Sequence, residues 1–146
     1  MFLSNEEETK NLGKSIAKEL TANSILILKG EIGAGKTSLV KGIAQGLDIT
    51  ETITSPTFAL SHHYYSGITP LIHIDLYRLT NESSAKELFI EEAEEANQIG
   101  AIIAIEWPEF ILPIINSYWL IELKYGKKNG RDYEIHSPLD FKKAFT

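Results

Sequence analysis

Residues Gly30 to Thr37 read GEIGAGKT and complete the pattern G-x-x-x-x-G-K-[ST], a glycine-rich turn whose backbone N–H groups cradle phosphates. Ahead of the turn, Ser24-Ile25-Leu26-Ile27-Leu28-Lys29 is apolar without alternation, the pattern of a parallel strand covered on both faces. Behind it, over about 36–46, Leu39, Val40, Ile43 and Leu47 recur on one helical stripe. A buried strand, a phosphate-cradling turn and a helix in direct succession restrict the chain to α/β architectures built on a parallel sheet. The expected ligand is a nucleoside triphosphate.

Composition narrows the setting. A chain of 146 residues is expected to form a single domain, 1–146, large enough to bury its own core. There is no cysteine, which excludes a disulfide framework and thiolate metal sites and fits a reducing cytosol. The start, MFLSNEEETK, has neither a basic leader nor an apolar segment, and the richest apolar stretch, Phe110 to Leu123, is interrupted by Pro113 and Asn116. The expectation is a cytoplasmic protein with no membrane association. Net charge is −6 and the only arginines are Arg78 and Arg131, so a broad positive groove for nucleic acid is excluded and any such polymer must be held by a partner.

Ser4 followed by Glu7 has the form of a capping box, and Leu12, Ile16, Ala17 and Leu20 predict a helix running to about Thr21. In the helix after the turn, Gly42 predicts tight packing and Gly46 a C-terminal cap. A strand near 58–65 and another from Leu71 to Asp75 are placed to pair as a hairpin around Ser66-Gly67. Residues 82–97 form an acidic helix with Leu88, Ile90 and Ala93 as its apolar contacts, either a solvated face or a docking face. Ala101 to Ile105 is a second fully apolar strand, and Tyr118 to Leu123 with Asp132 to His136 predicts a closing hairpin. The predicted fold is α/β of the P-loop nucleoside-triphosphatase type: a central, mostly parallel sheet with an antiparallel hairpin, flanked by helices.

Phosphate binding in such a turn relies on Gly30, Gly33 and Gly35, which leave room for close approach, on Lys36 for the β- and γ-phosphates, and on the Thr37 hydroxyl as a ligand of Mg²⁺. In a parallel sheet the acids serving a metal stand at the carboxyl ends of strands, where Asp75 and Glu106 are found. Glu106 is expected to hold Mg²⁺ with Thr37, and Asp75 to be an outer metal ligand or to orient the attacking water. The hydroxyls of Thr54-Ser55-Pro56-Thr57 either sense a γ-phosphate or belong to a plain turn set by Pro56. Arg78 either neutralises phosphate or forms an exposed ion pair, and Trp107 either stacks on a ligand or caps the core. His73 reads as packed or hydrogen-bonded, and His62-His63 lacks the partners of a metal site. Lys124, Lys127, Lys128 and Arg131 surround a turn, where the plain reading is a solvated hairpin tip.

Four segments in order, GEIGAGKTSLVKG, TSPTFAL, HIDLYRL and IEWPE, resemble the TsaE (YjeE) family of small bacterial ATPases needed to make threonylcarbamoyladenosine in tRNA. The resemblance spans nearly the whole chain. It implies ATP and Mg²⁺ as cofactors, TsaB and TsaD as partners, transfer chemistry performed by TsaD, and a tRNA bound by the assembly while ATP hydrolysis resets it between turnovers. Carried onto this sequence, it implies phosphate contacts from Gly33, Ala34, Gly35, Lys36, Thr37 and Ser38, Mg²⁺ held by Thr37 and Glu106, and hydrolysis supported by Asp75. It further implies nucleotide contacts at Thr9, Gly130 and Arg131; Thr57, Trp107 and Glu109 complete the expected nucleotide-binding residues. Ser38 stands where the family more usually has threonine, which keeps a hydroxyl, and His62-His63 stands where other polar residues are usual. Two alternatives share the loop: a small-molecule kinase, which generally needs an arginine-bearing lid, and a nucleotide-gated binding module with little turnover.

Overall fold

A computed structural model describes residues 1–138. In chain order its elements are β1 (Phe2–Leu3), α1 (Glu6–Ala17), β2 (Ile25–Lys29), α2 (Lys36–Gly46), β3 (Ser61–Tyr64), β4 (Leu71–Asp75), α3 (Glu82–Ile99), β5 (Ile102–Glu106), β6 (Trp119–Tyr125) and β7 (Arg131–His136). The strands form one sheet in the order β1-β7-β6-β2-β5-β4-β3. Its four central strands are parallel, and β3, β7 and β1 join the flanks antiparallel. The predicted fold class is the one observed.

Period-two alternation explains why the central strands carry no polar face. Leu26, Leu28, Ile102 and Ala104 point to one side, against Ile16 and Ala17 of α1 and Leu39, Val40 and Ile43 of α2. Ile27, Ile72, Ile74, Ile103 and Ile105 point to the other, against Ala85, Phe89 and Ala96 of α3. Helices on both faces leave the carboxyl ends of β2, β4 and β5 open at one edge. That edge is where the phosphate loop and the strand-end acids gather.

Several local expectations shift. Asn5, not Ser4, caps α1: its side chain accepts from Glu8 N–H at 2.9 Å, and Glu8 in turn accepts from Ser4 N–H at 2.7 Å. The box is therefore displaced by one residue, and the helix ends at Ala17 rather than near Thr21. The strand expected over 58–65 shrinks to Ser61–Tyr64, because residues 57–59 turn and Leu60 takes a left-handed φ of 70°. Ile90 on α3 is exposed, and Phe89 replaces it as the buried contact.

Gly46 is not a cap residue; a Cβ there would lie 2.6 Å from the Ala17 Cβ, so its role is close approach of helices. The same holds more strongly at Gly42, where a Cβ would run into the Lys10 carbonyl oxygen and lie 2.8 Å from the Lys10 Cα and carbonyl carbon. Across the same crossing, a Cβ on Gly13 would lie 2.5 Å from the Leu39 carbonyl oxygen. Backbone, unlike a flexible side chain, cannot swing aside. Gly42→Leu is expected to destabilise the protein by about 2–3 kcal/mol and to lower the melting temperature by roughly 5–10 °C. An unchanged melting temperature would show that α1 and α2 can separate at no cost.

Candidate nucleotide site

The turn after β2 closes with Gly33 at φ 83° and Gly35 at φ 104°, left-handed conformations that side chains resist and glycine accepts. Gly35 is the N-cap of α2, so the first helical residues Lys36 and Thr37 present their N–H groups at the helix start. The Lys36 side chain is only 6% exposed. Its ammonium donates to the Gly30 carbonyl, lies 4.3 Å from the centre of the Trp107 ring, and stands 3.9 Å from Glu106 Oε1. Burial holds this ammonium below the usual lysine pKa, against the opposing pull of the Glu106, Asp75 and Glu109 carboxylates.

Asp75 and Glu106 are register partners at the ends of β4 and β5, which is why they stand side by side. Asp75 Oδ2 accepts from the Thr57 hydroxyl at 2.8 Å and Oδ1 from Tyr77 N–H at 2.9 Å. Thr57 also meets the Ser55 hydroxyl at 2.8 Å, so the Thr54–Thr57 segment is tied to a strand-end acid. Glu106 Oε2 lies 2.6 Å from Nε2 of the fully buried His73. The histidine is both packed and hydrogen-bonded, and its partner is a strand-end carboxylate. Trp107 follows at φ 58°, an uncommon conformation for a bulky residue that turns its ring over Lys36 and to within 4.8 Å of the Tyr77 ring centre.

A cleft of about 390 Å³ separates the two walls. Gly33, Gly35, Lys36, Thr37 and Ser38 line one side; Ser55, Thr57, Asp75, Glu106 and Trp107 line the other. The Thr37 hydroxyl and two carboxylates on one cleft form an all-oxygen donor set suited to Mg²⁺, which takes one or two carboxylates and completes its shell with phosphate and water. Among the described residues no cluster of three or more His, Asp or Glu side chains could hold a metal alone, His62 and His63 included. His63 instead meets Glu92 at 2.5 Å and Tyr65 at 2.7 Å.

The remaining expected residues are dispersed around this cleft. Thr9 and Arg131 line a smaller recess of about 160 Å³ against Gly33, Gly35 and Ser38. Glu109 lies in a separate cleft of about 500 Å³ beyond the Lys36–Trp107 partition, with Lys124 and Tyr125. Ala34 is fully buried within the loop, and Gly130 is buried beneath the Phe2 ring. Lys127 and Lys128 are exposed as a hairpin tip should be, whereas Arg131 turns inward to the Gly33 and Ala34 carbonyls, each at 3.0 Å. Arg78 stacks 5.0 Å from the Phe58 ring centre rather than facing the cleft acids. Tyr77 and Tyr125 were not anticipated; their only sequence signal is adjacency to Asp75 and to the turn at 126–130.

The class follows from how the chain enters and leaves the loop: a buried parallel strand runs into it and a helix begins at its lysine, the defining arrangement of P-loop nucleotide-binding proteins. The sequence model of the family described as "Threonylcarbamoyl adenosine biosynthesis protein TsaE" matches residues 3–133, and the chain belongs to that family. It is 44% identical over 138 residues to the tRNA threonylcarbamoyladenosine biosynthesis protein TsaE of Nostoc sp., covering 92% of this chain and 83% of that one. To the protein of the same name from Treponema pallidum it is 38% identical over 130 residues, covering 88% and 93%. The crystal structure of Bacillus subtilis YdiB superposes with a TM-score of 0.74 at 28% identity, covering 91% of this chain and 80% of that one. Among the described residues no helix is long and apolar enough to cross a membrane.

Proposed function

We propose that the 146 residues act as a single Mg²⁺-dependent ATPase domain in the cytoplasm, serving tRNA threonylcarbamoyladenosine synthesis together with TsaB and TsaD. The observation that carries this reading is the convergence of Lys36, Asp75 and Glu106 on one cleft beside the glycine loop. Gly33, Gly35, Lys36, Thr37 and Ser38 would bind the phosphates. Thr37 and Glu106 would hold Mg²⁺, with Asp75 as an outer ligand or as orienter of water. The ion's contribution is to neutralise charge on the β- and γ-phosphates. His73 fixes the Glu106 carboxylate from beneath, and the Thr57–Asp75 hydrogen bond gives the Thr54–Thr57 segment a contact that a bound γ-phosphate can exchange. Thr9 and Trp107 would border the rest of the nucleotide.

Both arginines weigh against the kinase alternative. Arg78 is engaged with Phe58 and Arg131 with the loop carbonyls, so neither is poised to clamp a transferring phosphate. A passive nucleotide-gated module is separated from an ATPase by turnover. Phosphate release from ATP is expected to be slow for the chain alone and to rise at least about 10-fold with the TsaB–TsaD pair, a gain of about 1.4 kcal/mol in barrier. Undiminished slow release would favour the passive module, and consumption of ATP only with an added small-molecule acceptor would favour the kinase.

A further inference from the structure

The β6–β7 hairpin reaches back over a gap of 98 residues in sequence to grip the phosphate loop. Three successive loop carbonyls are held by two side chains: Ile32 accepts from the Tyr125 hydroxyl at 2.6 Å, Gly33 from Arg131 Nη2 at 3.0 Å, and Ala34 from Arg131 Nε at 3.0 Å. The same guanidinium donates from Nη1 to the Asn129 and Gly130 carbonyls at 3.0 and 2.9 Å and stacks 4.8 Å from the Tyr125 ring centre. Its planar fork is thus committed to backbone oxygens on two segments at once.

Peptide planarity converts this grip into a statement about phosphate binding. The N–H of each peptide unit points opposite to its C=O. Fixing the Ile32 carbonyl aims the Gly33 N–H, and fixing the Ala34 carbonyl aims the Gly35 N–H; both glycines line the phosphate cleft. The middle unit is fixed on both edges, since the Ala34 N–H donates to the Glu31 carbonyl at 3.0 Å. Gly33 is also where the Tyr125 hydroxyl presses closest, 2.6 Å from the position a Cβ would occupy. The hairpin tip is braced in turn by the Phe2 ring, packed against Gly126 and Gly130.

We propose that Tyr125 and Arg131 are positioning residues for the phosphate loop, acting from its outer edge on the Gly33 and Gly35 amides rather than by contacting the nucleoside. This rests on the loop being a triphosphate site. Binding of ATP and of inorganic triphosphate, each with Mg²⁺, distinguishes the two roles, because only ATP has a base and ribose. Tyr125→Phe and Arg131→Met are each expected to weaken both ligands by the same factor, about 10-fold, as for loss of one or two modest hydrogen bonds. Amide hydrogen exchange at Ala34, whose N–H donates to the Glu31 carbonyl within the gripped loop, should rise in both variants while the global melting temperature of Tyr125→Phe stays unchanged. Loss of ATP affinity with triphosphate affinity intact would assign Arg131 to the nucleoside and overturn the proposal, as would wild-type affinity for both ligands in Tyr125→Phe and Arg131→Met. Wild-type protein that binds neither ligand would remove the phosphate-site reading itself, and this inference with it.

Discussion

Replacing Lys36 with methionine is expected to weaken ATP binding at least about 100-fold, the effect of deleting a charged donor shared by two phosphates. Methionine keeps the length of the lysine stem and removes only the ammonium that sits over the Trp107 ring, so the loss reports the ammonium rather than a collapsed loop. The unliganded protein should behave differently. Its Lys36 pKa is lowered by burial, below the unfolded-state value of about 10.4. A folded pKa below the unfolded one means that charged Lys36 costs stability at all pH below its folded pKa, and that this cost fades as pH rises from there to the unfolded value. Without nucleotide, Lys36→Met should therefore melt above wild type at about pH 7, and the gap should narrow toward about pH 10. Isothermal titration and melting curves across that range check both halves. Retained ATP affinity would remove Lys36 from the phosphate site; a lower melting point at neutral pH would show that the Gly30 bond and the Trp107 stacking outweigh burial.

Glu106→Gln is the second large effect. The amide oxygen can still accept from His73 Nε2, where the carboxylate now lies 2.6 Å away, so the buried histidine keeps its partner and the fold should persist. Loss of one negative charge beside Lys36 should leave ATP binding within a few-fold of wild type. Turnover should fall by about 10²- to 10⁴-fold, the usual contribution of a positioned acid or base and its metal. Asp75→Asn serves as the companion, expected to reduce turnover less if Asp75 lies in the outer shell. Wild-type turnover in both variants would move hydrolysis away from the strand ends.

The strand–loop–helix unit was legible because its signals are local: an unalternated apolar run, fixed glycine spacing and a 3.6-residue stripe. So were the two acids, each the first polar residue after a buried run. Less was legible at the sheet's margins. β1 is two residues long, too short for any periodicity, and its pairing of Phe2 with Asp132 and Leu3 with Arg131 is a long-range fact. Ser4 and Asn5 are comparable caps, so composition alone did not choose between them. Arg131 read as part of a solvated charged turn because nothing near it in sequence indicates a loop that lies 98 residues away. Gly46 resembled a cap because it ends a helix, and only the crossing with α1 reveals what a side chain there would strike.

Sheet order also governs when the protein can become active during its synthesis. β2 finds its neighbours only in β5 and β6, so the glycine loop leaves the ribosome long before the strands that will flank it. Its outer edge is completed later still, when residue 131 is available to bond Gly33 and Ala34. A nascent or truncated chain ending before β6 carries the whole nucleotide-binding consensus and yet lacks the scaffold that gives the consensus its shape. High contact order of this kind slows folding. For this architecture it also means that the loop's flanking strands and its outer-edge contacts are all supplied by later parts of the chain.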